Sequence, residues 1–205
     1  SFIPSEIVLE YGLSEEIICA VADLPNVRFE SKTKTDFVDH LLSIPAKGGA
    51  VIGFSVNPEP IVRAEEGAAA PIADRLRAAS RALEAGFRVA FHFDPVIRSG
   101  ARTPEDALRA YADLADRIAR LCANVPDRIA WVSLGTVRFT PGLRSRIADR
   151  PYLYDEFVPC PDGKYRYIQR ERVQIYTDLY QRLRRWADIP VYLCMESRAV
   201  WRRVT

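Results

Sequence analysis

Five short runs of β-forming residues punctuate the chain, and each gives way to polar residues of a distinct chemistry. Residues 27–32 lead into Thr33 and Lys34, residues 50–54 into Ser55 and Asn57, and residues 88–91 into His92 and Asp94. Residues 129–134 lead into Thr136 and Arg138, and residues 191–194 into Met195 and Glu196. Helical signals alternate with these runs. Ser14 is placed to cap a helix over 15–24 with Glu15 and Glu16 in its first turn, where the helix dipole favours anions. Asp36 is placed to cap a short helix reaching Leu42, ended by Ile44-Pro45 and Gly48-Gly49. Pro71 opens an amphipathic helix to Ala85 with Ile72, Leu76, Ala79 and Leu83 on one stripe, and Gly86 supplies the left-handed residue past its end. Thr103-Pro104-Glu105-Asp106 starts another, with Leu108, Tyr111, Leu114, Ile118 and Leu121 on its inner face. A last long helix over 171–187 turns Val173, Tyr176, Leu179, Tyr180 and Leu183 inward.

Strand and helix in strict alternation, joined by short loops, predict right-handed parallel crossovers. The expected fold is α/β: parallel strands with outer helices, a partial (β/α) TIM-like barrel in one domain spanning 1–205. Five strands are too few to close a barrel of eight, and a sixth is expected to end near Phe2 or Ile3. In such folds ligands bind at the carboxyl ends of the strands. Lys34, Ser55, Asn57, His92, Asp94 and Arg138 are therefore expected to converge on one rim suited to a polar, charged ligand. His92 and Asp94, two apart, read as a rim pair that relays protons or orients a ligand, or as a local hydrogen bond. Glu196 reads equally as a site residue or as a cap for the helix towards Trp201. The stretch 152–170 breaks the alternation: an Asp162-Gly163 turn between short aromatic runs reads as a β-hairpin insertion, either covering the barrel edge or acting as a substrate-contacting lid.

Composition adds three points. With 205 residues and 48% hydrophobic content the chain can bury one sizeable core. It holds neither an apolar run long enough to span a bilayer nor a secretory leader, and a cytoplasmic location is expected. Its first residue is Ser, which reads as an N-terminus trimmed or cut from a longer chain. Net charge is −4 over residues 1–100 and +6 over 101–205, and nearly all cations of the second half are Arg. That asymmetry suits either a salt-bridged helical surface or a basic face for nucleic acid. Cys19, Cys122, Cys160 and Cys194 lie far apart, so no local metal motif exists. Cys19, Cys122 and Cys194 are expected to be buried thiols, leaving Cys160 as the accessible one.

Several fragments, in this order, resemble the spore photoproduct lyase family of radical S-adenosylmethionine (SAM) enzymes, and in particular its photolyase-like members. They are TKTDFVDHLL (33–42), GFSVNPEPIV (53–62), DRLRAASRALEAGFRVAFHFDPVI (74–97), LGTVRFTPGL (134–143), DGKYRYIQRERVQIY (162–176) and VYLCMESRAVW (191–201). The resemblance implies a partial six-stranded barrel carrying a [4Fe-4S] cluster on a CxxxCxxC loop, at which SAM is cleaved reductively to a radical that acts on a DNA photolesion. No CxxxCxxC occurs in this sequence. The chain is thus expected to be the C-terminal portion of such an enzyme, inactive alone, with the cluster ligands upstream. Carried over residue by residue, Lys34 matches a lysine at the SAM carboxylate. Ser55 and Asn57 match positions near the SAM amino acid and ribose, and Ser5 matches a serine also near SAM. Ile3 stands where the spore enzymes have a hydrogen-donating cysteine. His92, Asp94, Arg138, Tyr165, Arg166 and Tyr167 are the expected substrate contacts, the last three together with Tyr152, Tyr154 and Arg170 as stacking rings and phosphate-binding cations for DNA. The alternatives are a non-catalytic nucleic-acid-binding module and a partial-barrel enzyme for a small phosphorylated metabolite. The latter would want a glycine-rich loop opening a helix, whereas Gly48-Gly49 precedes a strand.

Overall fold

The computed structural model describes residues 12–45, 47–98, 104–147, 149–150, 157–185 and 187–205. The expected strand near Phe2 and Ile3, together with Ser5, Thr103, Tyr152 and Tyr154, lies outside the described residues. The first half runs α1 (Leu13–Ala22), β1 (Phe29–Thr33), α2 (Asp39–Leu42), β2 (Ala50–Ser55), α3 (Glu59–Glu65), α4 (Ile72–Glu84) and β3 (Arg88–Val96). The second runs α5 (Pro104–Ala123), β4 (Ile129–Thr136), β5 (Arg138–Phe139), α6 (Pro141–Arg144), β6 (Phe157–Pro159), β7 (Tyr165–Tyr167), α7 (Gln169–Arg184), β8 (Val191–Leu193) and α8 (Arg198–Val204).

One sheet has the order β1-β2-β3-β4-β8, parallel throughout; among the described residues it does not close on itself, and with its outer helices it is a partial barrel. Its two faces differ in chemistry. Side chains alternate across a strand, and one set, including Ile52, Phe54, Val89, Phe91, Phe93, Val132, Leu134 and Leu193, is buried in the main core. The helices meet that face with matching stripes: Ile72, Leu76, Ala79 and Leu83 of α4, and Tyr111, Leu114, Ile118 and Cys122 of α5. The alternate set carries Glu30, Lys32, Gly53, Ser55, His92, Asp94, Ser133 and Gly135. A parallel sheet covered on both faces reads as continuous apolar strands. Here only one face does, and the other is left with polar groups.

β3 runs on through His92 and Asp94 to Val96: β2 pairs with it as far as His92, and β4 carries the ladder on to Val96. Near its end, Asp94 and Pro95 stand opposite the single residue Gly135 between the pairs Phe93↔Leu134 and Val96↔Thr136. Such a bulge tolerates proline and re-aims the side chain beside it.

Three local expectations are corrected. Ser14 is buried inside the first turn of α1, and Gly12 with φ 64° holds the N-cap position. Asp36 does not cap α2, which begins only at Asp39 behind Val38. Cys19 is exposed, because Ser14 and Ile18 define the inner face of α1 and the next residue is rotated about 100° away from it. Cys160 and Cys194 are both half-buried. The segments on either side of α6 form an antiparallel three-stranded sheet, β5-β7-β6, in which Gly163 (φ 75°) makes the tight turn between β6 and β7.

Thiol accessibility checks this arrangement. Cys19 should react with an aromatic disulfide reagent in the native protein, whereas Cys122, whose thiol burial pushes up to about 12, should react only after denaturation. Phe91→Ala, which empties a fully buried site between sheet and helices, should cost about 3–5 kcal/mol in urea titrations.

Candidate functional site

At the carboxyl ends of β1 and β2, one buried carboxylate organises the site. Glu66 follows α3, and its side chain is only 3% exposed. It accepts hydrogen bonds from Lys34 Nζ at 2.7 Å, Asn57 Nδ2 at 2.9 Å and Arg75 Nη2 at 2.7 Å. Arg75, fully buried on α4, also donates to the carbonyls of Ser55 (2.9 Å) and Ala70 (2.8 Å). Asn57 Oδ1 accepts from the hydroxyl of Tyr111 on α5 at 2.7 Å, and that hydroxyl in turn accepts from the backbone N–H of Ile97 at 3.0 Å. Burial pushes the Glu66 carboxyl up, but the hydrogen bonds of Lys34, Arg75 and Asn57 outweigh it and hold the group below its usual range. Lys34 is the open end of this network, with 46% of its side chain exposed.

A second set of groups lies on the polar face of the sheet. His92 Nε2 hydrogen-bonds Glu30 Oε1, reaching from β3 across β2 to β1. The strand between them carries Gly53 at this level, and a Cβ there would run into the Glu30 carboxylate. Ser55 stands beside His92 in the register of β2 and β3. Asp94 is held by a two-pronged contact from Arg138 on β5, Nη1 to Oδ1 at 2.9 Å and Nη2 to Oδ2 at 3.2 Å. Arg138 Nη2 also lies 3.4 Å from Cys194 Sγ. A Cβ on Gly135 would come within 2.6 Å of Asp94 Oδ1, so glycine makes room for this pair too. Burial raises the Asp94 carboxyl while Arg138 lowers it further, leaving it below the usual range. For Cys194, burial and the neighbouring Asp94 push the thiol up.

The structure therefore brings the expected rim residues to one end of the sheet but pairs them differently. His92 and Asp94 are not partners: the former takes Glu30 and the latter Arg138. Lys34 and Asn57 meet through Glu66. Ser5 is outside the described residues. Of the hairpin residues expected to meet DNA, Arg166 and Tyr167 are buried within the protein. Tyr167 is fully buried, its ring stacked on Phe157 and its hydroxyl accepting from Arg98 N–H. Arg166 is 5% exposed and donates from Nη1 and Nη2 to the two carboxylate oxygens of Asp162, each at 2.7 Å. Tyr165 is half-buried and stacks on Phe139. β5-β7-β6 has its own aromatic core to fill, and these side chains fill it. Glu196 neither reaches the site nor caps α8. It is buried against Arg172 (2.9 Å) and Tyr176 (3.0 Å), and Ser197 is the cap. Glu30, Glu66 and Arg75 were missed by sequence reasoning, since each comes to the site from mid-strand, a loop or a helix face. The glycine at 53 between two β-formers was the signal for Glu30.

The family model described as spore photoproduct lyase matches residues 11–153, more than half of the chain. None of the curated proteins compared matches it. Among solved structures, a spore photoproduct lyase complexed with dinucleoside spore photoproduct superposes with a TM-score of 0.70 at 20% identity, covering 88% of this chain and 55% of that one. A doubly substituted spore photoproduct lyase with bound AdoMet and dinucleoside spore photoproduct gives 0.72 at 19% identity, over 94% of this chain and 57% of the other. A cysteine-substituted mutant gives 0.72 at 21% identity. The chain spans little more than half the length of these structures, and at such identities the likeness establishes the fold.

Two measurements test the site's wiring. Because the folded-state pKa values of Glu66 and Asp94 are depressed, their contribution to stability is complete above the unfolded carboxylate pKa of about 4 and is lost as pH falls through the lower folded values. Urea titrations should show stability dropping below about pH 4, with the drop reduced in Glu66→Gln. Glu66→Ala, which strands the buried Arg75 cation, should cost about 3–5 kcal/mol. Gly53→Ala should displace the flexible end of Glu30, erasing the hydrogen-bonded imidazole proton signal of His92 while the unfolding midpoint moves little.

Proposed function

The chain belongs to the spore photoproduct lyase family, and on that premise we propose that it is the SAM- and nucleic-acid-binding portion of a radical SAM enzyme acting on photolesions in DNA. The observation that carries this reading is the meeting of Lys34 and Asn57 on Glu66, beside Ser55, at the ends of adjacent strands. The amino acid moiety of SAM needs a cation for its carboxylate, and Lys34 is the exposed cation at that spot. Its ribose and amine need small hydroxyl and amide groups, which Ser55 and Asn57 offer, with Ser5 as a further candidate. Glu66 and Arg75 hold Asn57 and the Ser55 carbonyl in place from behind. His92, Asp94 and Arg138 are the polar groups next to that position and would face a substrate brought to the same side of the sheet.

The cluster is a different matter. Cys19, Cys122, Cys160 and Cys194 sit on α1, α5, the β6–β7 turn and the end of β8, and no group of three metal-binding side chains occurs among the described residues. These residues do not fit a [4Fe-4S] cluster, so in this reading its ligands come from outside residues 1–205. A nucleic-acid-binding module without cofactor chemistry is the second reading, and the net charge of +6 over residues 101–205, nearly all of it from Arg, is the observation that favours it. No described helix is long and apolar enough to cross a membrane.

Calorimetric titration of SAM into the whole, cluster-loaded protein separates the two. Lys34→Ala should weaken binding roughly ten- to a hundred-fold, the equivalent of a charge-assisted hydrogen bond of about 1.5–3 kcal/mol. Lys34→Arg should also impair it, because a guanidinium is wider and planar. Folding should change little, since Lys34 itself is half exposed and Glu66 keeps Arg75. An unchanged affinity in Lys34→Ala would remove Lys34 from the SAM site, and no binding in the wild type would favour the cofactor-free module.

A further inference from the structure

Met195, directly after the last strand, combines features that core packing does not require. Its φ of 55° is the one positive value at a non-glycine position among the described residues, a region costly for a side chain without a local polar group. At 53% exposed it is also the most exposed of the large hydrophobic residues described. Strain of this kind persists only where the surroundings impose it, and here they do so residue by residue. Cys194 donates its N–H to Leu134 at 2.7 Å and has its sulfur against Arg138 of β5. The Met195 carbonyl accepts from Arg166 of β7 at 3.4 Å. Glu196 is bound by Arg172 of α7 at 2.9 Å. Three arginines from three elements thus fasten three consecutive residues and leave the thioether standing out.

The position is as telling as the conformation. One residue back, Cys194 contacts Arg138, which holds Asp94 of the polar face. On the other side lies a cleft of about 520 Å³ whose walls include Met195, Val158, Gln169 and Ser197. Lys164 Nζ is 3.7 Å from the Met195 sulfur, and the exposed Arg170 and Arg198 follow directly on Gln169 and Ser197. An apolar, unbranched side chain on a fastened backbone, with Lys164 at its sulfur and exposed arginines on the adjoining segments, has the chemistry of a residue that enters a base stack while its neighbours hold phosphates.

We propose that Met195 is a wedge. When a duplex lies across the polar face, its side chain inserts between neighbouring base pairs and fills the gap left by a nucleotide turned out towards His92, Asp94 and Arg138. The fastened backbone matters because a wedge on a yielding loop would be pushed aside by the stack. This role rests on the nucleic-acid reading above and is independent of SAM.

The test uses the full chain and a DNA duplex carrying 2-aminopurine next to a thymine–thymine mismatch, with the single strand as control. The wild type should raise 2-aminopurine fluorescence on binding the duplex. Met195→Ala and Met195→Gly should lose that rise and bind the duplex about tenfold more weakly, while single-strand affinity stays the same because nothing there needs unstacking. Met195→Leu should retain both. Glycine is at home at positive φ, so an unfolding midpoint in Met195→Gly no lower than wild type shows that the loss is not misfolding. Equal fluorescence and duplex affinity in wild type and Met195→Gly would overturn the wedge and leave nucleic-acid binding standing. Failure of the wild type to bind either DNA would overturn both.

Discussion

The pairing of Glu66 with Arg75 is the contact on which the candidate site depends. Both side chains are almost wholly buried, so neither charge can return to water if the other is removed. Arg75 directs its remaining donors to the backbone of Ser55 and Ala70, and the remaining lone pairs of Glu66 accept from Lys34 and Asn57. A single ion pair thereby ties the end of β2, the start of α4 and the residue after β1 into one rigid unit. Tyr111 extends it to α5 and to the backbone after β3. Only Lys34 keeps substantial access to solvent, which leaves one accessible cation on an otherwise buried frame.

The sheet itself separates stability from chemistry. Its helix side is apolar and close-packed, and contributes the core. Its other side carries two side-chain pairs whose members come from different strands, the hydrogen-bonded Glu30 and His92 and the ion pair of Asp94 with Arg138. Both pairs depend on a missing Cβ, at Gly53 for the first and Gly135 for the second. The bulge at Asp94-Pro95 adds the local turn that brings the carboxylate to Arg138. Charged groups on this face are held in fixed orientations before any ligand arrives, which is the condition for selective binding of a polar molecule.

The small sheet β5-β7-β6 acts as a buttress. Phe139, Phe157, Tyr165 and Tyr167 pack ring on ring within it. With that core filled, its arginines turn to the loop that follows β8, which becomes a rigid rim in place of a flexible connection. Met195, with its left-handed backbone, stands in the middle of that fastened loop.

How far this was legible in the sequence depends on the range of the interaction involved. The alternation of apolar runs with amphipathic helices, such as the Ile72, Leu76, Ala79 and Leu83 stripe, determined the α/β class and the positions of its strands, because periodicity reflects burial directly. Side-chain alternation and strand ends likewise determined that Lys34, Ser55, Asn57, His92, Asp94 and Arg138 would gather at one end of the sheet. Their partners were decided only by tertiary structure. Glu30 is 62 residues from His92, and Asp94 is 44 from Arg138. Glu66 lies in a loop whose composition signals nothing. Sequence alone left Tyr165 and Tyr167 open between covering the barrel edge and stacking on a ligand, since an aromatic next to arginine fits either until the strands beside it are known. Local chemistry determines which face a residue takes, and only the folded chain decides what it meets there, because desolvation makes each buried charge take the partner that the packing brings within reach.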